Sequence, residues 1–240
     1  MPKLYALIPA AGHGARMGAG LPKQYLNLAG HPLLYHALRS LCANDEIERV
    51  FVVLAQGDEH YSNCDWQPFA EHIEPLYCGG QTRAASVFNG LLAVRDAVES
   101  EDWILVHDAV RPCLAADVLQ RLISALRDEP TGGLLALPVV DTLKRSDDDG
   151  FVVRTEPRER LWQAQTPQMF RYRLLLEALR ATEAGLATDE ALAIEQLGLR
   201  PKLVLGDNRN LKVTYPHDLA LAELLLARSA TPASRDRGAR

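Results

Sequence analysis

The sequence predicts an α/β fold: a mostly parallel sheet covered by helices on both faces. Three observations carry this reading. Short apolar runs alternate with longer segments of helical rhythm, a pattern that implies right-handed crossovers between parallel strands. The chain has 240 residues, 48% hydrophobic and 24% charged, which suits one core of ordinary globular make-up. One stretch, from Val139 to Phe170, breaks the rhythm and carries its own hairpin signal.

In chain order, Leu4 to Pro9 reads as a buried strand that runs into a Gly-rich loop. Pro32 to Ala43 reads as a helix whose rhythm is set by Leu33, Leu34, Ala37, Leu38 and Leu41, with Pro32 suited to the first turn. Arg49 to Ala55 is the next strand, and Thr82 to Val98 a helix. Trp103 to His107 is a strand that stops at Asp108; Ala115 to Arg127 is helical and Gly133 to Val140 a strand. Thr142 to Arg145 and Phe151 to Thr155 look like two strands joined at Asp147-Asp148-Asp149-Gly150, because Asp-Gly tolerates the positive φ of a tight hairpin. Much of this stretch is charged, so little of it can enter a core. A protruding β-arm at about 139–170 is therefore expected, with a surface loop as the alternative. Helices follow at Tyr172 to Ala184 and Thr188 to Leu197, then a short strand at Leu203 to Leu205 and a closing helix at Pro216 to Arg228. Residues 1–230 are expected to form one domain, and residues 231–240 (TPASRDRGAR) a disordered tail without apolar anchors.

Composition removes several function classes. Lys and Arg number 26 against 31 Asp and Glu, a formal charge of −5, so a broad nucleic-acid footprint is not expected. Cys42, Cys64, Cys78 and Cys113 are scattered without a C-x-x-C pair, which points to free buried thiols in a reducing compartment. No apolar run reaches membrane length and no signal peptide opens the chain, so a cytoplasmic protein without a membrane partner is expected.

The first loop carries the chemistry: Pro9-Ala10-Ala11-Gly12-His13-Gly14-Ala15-Arg16-Met17-Gly18, then Leu21-Pro22-Lys23-Gln24. Glycines after a first strand let backbone amides approach a phosphate closely. The third glycine of the dinucleotide fingerprint is missing, since Met17 stands in its place, and the P-loop pattern is absent. Two cations beside a Gly-rich turn, Arg16 and Lys23, suit a triphosphate. A dinucleotide-dependent dehydrogenase and a non-catalytic nucleotide sensor are the competing classes. The first needs the missing glycine, and the second has no use for both cations.

The same loop, A-A-G-x-G-x-R-M with P-K-Q-Y, resembles the 2-C-methyl-D-erythritol 4-phosphate cytidylyltransferases of the non-mevalonate isoprenoid pathway. Further matching runs follow in order: Gly79 to Val87 (GGQTRAASV), Val106 to Pro112 (VHDAVRP) and Pro138 to Arg145 (PVVDTLKR). Trp162 to Gln168 (WQAQTPQ), Thr188-Asp189-Glu190 and Asn210 to Thr214 (NLKVT) complete the set. The resemblance covers almost the whole chain up to the tail. It implies a doubly wound, Rossmann-like nucleotidyltransferase fold and a homodimer in which an arm reaches across to the other subunit. It also implies CTP and a polyol phosphate as substrates and a divalent metal, usually magnesium. A ribitol-5-phosphate cytidylyltransferase is the near alternative, since it shares the fold and the first loop.

Carried over residue by residue, Arg16 and Lys23 are expected to stabilise the transition state at the α-phosphate. Ala10, Ala11, Gly12 and Gly14 would hold the nucleotide, and Gly80, Gln81 and Ser86 would read cytosine. The family often has an acidic residue where Gln81 stands, and Ser86 also reads as a plain helix-surface hydroxyl. Asp108 ends a strand where open α/β sheets place ligands. It is expected beside metal and substrate, with a turn-capping role as the alternative. Thr142, Arg158 and Lys212 match positions that hold the sugar phosphate, as do Thr166 and Thr188. Arg111 reads as a structural partner for a nearby carboxylate, and His107 as a strand-end residue.

Overall fold

A computed structural model describes residues 2–12, 21–182 and 187–230. Gly14, Arg16, the last turn expected of the Tyr172 to Ala184 helix and the 231–240 tail lie outside the described residues. Eleven strands and six α-helices alternate along the described chain. β1 (Leu4–Pro9), β2 (Asn27–Leu28), β3 (His31–Pro32), α1 (Leu33–Cys42), β4 (Ile47–Val53) and β5 (Ile73–Leu76) come first. Then come α2 (Arg83–Ala93), β6 (Trp103–Val106), α3 (Ala116–Leu126), β7 (Gly133–Pro138), β8 (Leu143–Ser146) and β9 (Val152–Glu156). The chain continues through β10 (Trp162–Arg171), α4 (Tyr172–Ala181), α5 (Glu190–Gln196), β11 (Lys202–Leu205) and α6 (Pro216–Ala230).

The main sheet has seven strands in the order β11-β7-β10-β6-β1-β4-β5. Neighbours pair in parallel except β10, which runs antiparallel to both β6 and β7. This is a doubly wound α/β fold, as the alternation predicts. Side chains of β1 explain why both faces are covered. Leu4, Ala6 and Ile8 enter a core with Leu34, Leu38 and Leu41 of α1 and Leu119, Leu122 and Leu126 of α3. Tyr5 and Leu7 point the other way, to Val87 and Leu91 of α2 and Leu175 and Leu179 of α4. An apolar side chain at every position of a strand is what burial on both faces demands. α6 closes on the β2–β3 hairpin and the start of α1 through Ala222 and Leu226 against Leu28 and Leu33.

Three differences from the sequence reading have physical causes. β2–β3 is a hairpin too short to show a period, turned by Ala29 at φ 50 and Gly30 at φ 89. β5 reads as a loop because Pro75 interrupts it, yet it is the outermost strand, where proline is tolerated. The third is a correction to the arm. Only β8 and β9 form a separate two-stranded sheet; Trp162–Arg171 is β10, inside the main sheet. Its polar Gln165, Thr166 and Gln168 hid it, because they are buried with hydrogen-bond partners rather than solvated.

The four cysteines are free and half-buried. Burial pushes the Cys42 thiol up to about 12 and the Cys113 thiol up to about 11, so these are packing groups rather than nucleophiles. No helix among the described residues is long and apolar enough to cross a membrane.

Candidate active site

From β1 the chain moves outward to β4 and β5, then returns to lay β6 on the other side of β1. The crevice at such a reversal, beyond the carboxyl ends of the strands, is where open α/β sheets bind ligands. A cleft of about 330 Å³ lies there. Ala10, Ala11 and Gly12 line it from the loop after β1, and Gly80, Gln81 and Ser86 from the start of α2. Lys23, Asp108 and Lys212 complete the set of expected residues that the fold gathers in this one place. The described charged residues of its lining are Lys23, Arg83 and Lys212 against one carboxylate, Asp108. The cleft is thus locally cationic in a chain of formal charge −5.

The loop side of the cleft is built by close approach. A Cβ on Gly79 would lie 2.3 Å from Ala11 Cβ and 2.8 Å from Leu54 O, so only glycine lets this loop meet the first one. A Cβ on Gly80 would lie 2.5 Å from Ala85 Cβ. Gly80 N–H donates to Ser86 Oγ at 3.0 Å, and Ser86 Oγ–H donates to Thr82 O at 2.9 Å. Ser86 is therefore a buried brace for the loop, not a surface hydroxyl. Thr82 caps α2 by accepting from Ala85 N–H at 3.1 Å. On the facing side, Gln24 donates to Ala10 O at 2.6 Å. Lys23 donates to Val213 O and Thr214 O, both at 3.2 Å, which draws the segment carrying Lys212 to the cleft.

Asp108 is the centre of charge. Its Oδ1 accepts from Arg83 Nε at 2.8 Å, and its Oδ2 lies 2.9 Å from Lys212 Nζ and 3.6 Å from Arg111 Nε. Burial opposes its charge, but Arg83, Lys212 and Arg111 outweigh that and hold its carboxyl well below the usual carboxylate range. Arg83 also makes a two-pronged pair with Glu190, at 2.6 and 3.1 Å. Arg111, expected as a structural partner, pairs with Asp108 and donates to Asn210 O at 2.7 Å.

His107 sets the turn that carries Asp108. Its Nε2 lies 3.2 Å from Arg111 O, an atom that only accepts, so Nε2 bears the proton. Nδ1 then accepts from Thr166 Oγ1 at 3.0 Å, and Thr166 Oγ1 accepts from Asp108 N–H at 3.0 Å. Burial lowers the imidazole to about 4, so it stays neutral at ordinary pH. Thr166 thus orients Asp108 with its one hydroxyl proton already engaged. It lines a second pocket of about 170 Å³ together with Thr188, Asp189 and Gln168. Arg83, Asp108 and Lys212 line both pockets.

Two expected residues stand apart. Thr142 and Arg158 are exposed beside the β8–β9 sheet and line neither pocket. Asp108, the expected metal residue, is the one carboxylate in the described lining of the cleft, and Arg83, Lys212 and Arg111 surround it. No group of three His, Cys, Asp or Glu among the described residues could hold a metal ion.

The chain matches the family model for IspD, 2-C-methyl-D-erythritol 4-phosphate cytidylyltransferase, over residues 4–228. This chain belongs to that family. It is 58% identical over 228 residues to the 2-C-methyl-D-erythritol 4-phosphate cytidylyltransferase of Nitrosospira multiformis, covering 94% of this chain and 98% of that one. A crystal structure of a 4-diphosphocytidyl-2C-methyl-D-erythritol synthase matches the fold with a TM-score of 0.83 at 40% identity, covering 94% of this chain and 99% of that one. The family member from Francisella tularensis gives 0.78 at 33% identity, covering 93% and 99%. Sequence reasoning quoted Arg83 and Glu190 within matching runs but gave neither a role. Their meeting across 107 positions is visible only in the fold. It likewise missed Gln24 and Asn210.

Proposed function

We propose that this protein transfers CMP from CTP to 2-C-methyl-D-erythritol 4-phosphate, giving 4-diphosphocytidyl-2-C-methyl-D-erythritol and pyrophosphate, in isoprenoid precursor synthesis. One observation carries this reading in a chain of this family. The two Gly-containing loops and the Asp108–Lys212 pair converge on one cationic cleft. A phosphate oxygen of the polyol phosphate attacks the α-phosphorus of CTP. The new P–O bond forms as the bond to the bridging oxygen breaks, and pyrophosphate leaves with the charge. A phosphate monoester is already anionic near neutral pH, so positioning and charge stabilisation carry the catalysis. Arg16 and Lys23 supply positive charge at the α-phosphate. Ala10, Ala11, Gly12, Gly14 and the Gly80–Ser86 loop hold the nucleotide, with Gln81 contributing through its backbone. Asp108, Lys212, Thr166 and Thr188 bound the polyol phosphate.

Magnesium is assigned to the triphosphate rather than to a protein cage, in keeping with its habit of using few carboxylates and several phosphate oxygens. Asp108, the one carboxylate in the described lining of the cleft, would be the residue to meet it, and no step depends on direct ligation. Residues 1–230 act as one domain, and two chains form a homodimer. Exposed Phe151, Val152 and Val153 on the β8–β9 arm support that reading, because an isolated two-stranded sheet needs something to pack against. In the dimer the arm delivers Thr142 and Arg158 to the partner's cleft. The protein works in the cytoplasm, which suits its free thiols.

The test is pyrophosphate release from CTP against a panel of polyol phosphates. Release with methylerythritol phosphate supports the reading. Release with ribitol 5-phosphate alone replaces the substrate, although the relatives named above carry only the methylerythritol name. No release with any of them removes the transferase reading.

A further inference from the structure

Arg83 stands where three parts of the fold meet. It is the first residue of α2, directly after the loop braced by Ser86. It lines both pockets. One edge of its guanidinium donates to Asp108 Oδ1 at 2.8 Å, while the two terminal nitrogens grip Glu190 at 2.6 and 3.1 Å. Glu190 has a side chain only 1% exposed and lines neither pocket. It is the first residue of α5, whose start is pinned to the sheet. There Gln168 of β10 donates to Asp189 Oδ2 at 2.9 Å and accepts from Ala191 N–H at 2.8 Å.

We infer that Arg83, anchored by Glu190, is the positioning residue for Asp108, and that this pair joins the nucleotide cleft to the second pocket. The argument is geometric. A carboxylate accepts at two oxygens, each with two lone-pair directions. Arg83 Nε holds Oδ1 at 2.8 Å, and that restrains the rotation of the carboxylate. Oδ2 is then presented to the cleft, where Lys212 meets it at 2.9 Å. Without Glu190, Arg83 would be a half-buried cation answering to Asp108 alone and would be free to swing into the pocket. With Glu190, its fork is locked in one orientation, the geometry that only a guanidinium provides. The consequence falls on the polyol phosphate, which faces Asp108 and Lys212, rather than on the base, which is held by the Gly80–Ser86 loop.

This inference rests on the proposed transferase reading for its substrate but not for its geometry. The experiment uses the full-length protein with Arg83→Gln, Arg83→Lys, Glu190→Gln and Glu190→Asp. CTP affinity is measured by calorimetry, and KM and kcat for the polyol phosphate by pyrophosphate release. Expected for Arg83→Gln and Glu190→Gln is a rise in polyol-phosphate KM of about tenfold or more, with CTP affinity within about threefold of wild type. Arg83→Lys and Glu190→Asp, which keep the charges but not the fork, should recover part of the loss. They also supply the readout if the neutral variants do not fold. Because the hydrogen bonds of Glu190 go to Arg83, the double variant should be no worse than the single ones. An effect in Arg83→Gln without one in Glu190→Gln overturns the inference, since Arg83 would then touch substrate itself. So does a loss of CTP affinity as large as the rise in KM, or no change in KM. Failure of the wild-type chain to use methylerythritol phosphate would instead remove the substrate assignment. The same variants are then compared on whichever polyol phosphate is turned over.

Discussion

Lys23 is held by the carbonyls of Val213 and Thr214, and it lines the cationic cleft. Replacing it should cost transition-state stabilisation more than ground-state binding. Lys23→Ala and Arg16→Ala are each expected to lower kcat by about a hundredfold, roughly 3 kcal/mol of barrier, as for other preorganised electrostatic contacts. CTP affinity, measured separately, should fall by much less, and near wild-type turnover in both variants would remove their assigned role. His107 makes a second prediction at this scale. Burial lowers it from 6.5 to about 4 in the folded chain. Between those values the unfolded chain binds the extra proton, so stability is fully present above about 6.5 and is lost as pH falls toward 4. His36, also lowered by burial, acts in the same direction. Thermal unfolding at pH 7 and pH 5, a linkage range worth at most on the order of 2 kcal/mol for His107, should show a lower Tm at pH 5. His107→Gln should flatten that drop in part; an unchanged slope would mean that His107 is not the titrating group.

The loop from Gly79 to Ser86 is a rigid element because its own groups satisfy one another. Ser86→Ala leaves Gly80 N–H without its acceptor, a part-buried loss of at most about 1–3 kcal/mol. The expected outcome is weaker CTP binding and poorer discrimination against UTP, measured as the ratio of kcat/KM for the two triphosphates. Equal use of CTP and UTP by the wild-type protein would remove this loop as the reader of the base. Much of this element was legible beforehand: its glycines, its helix start and the strand before Asp108 follow from local composition and period. The role of Ser86 was not, because a serine on the first turn of a helix reads alike whether it faces water or the loop behind it. The same holds for β10, whose buried glutamines carry no apolar period to mark a strand.

At the scale of the molecule, the β8–β9 arm leaves Thr142 and Arg158 away from both pockets of their own chain. If each arm completes the partner's site, mixing an Arg16→Ala chain with an Arg158→Ala chain should regain part of the lost activity. One of the two sites in each heterodimer would then contain neither change. Subunit exchange without recovery would show that Arg158 acts in its own chain or not at all.

Most strands and helices, the places of the Gly-rich loops and the covering of the sheet on both faces could be read from residue order; β2–β3, β5 and β10 could not. These properties live in periods of two and 3.6 residues and in the positions of Gly and Pro. The fold alone revealed that β10 enters antiparallel between β6 and β7. It alone showed that Asp108 sits among Arg83, Arg111 and Lys212, and that Glu190 grips Arg83. Such pairings join residues as far apart as 107 positions, and no local period records which distant partner a buried charge will find.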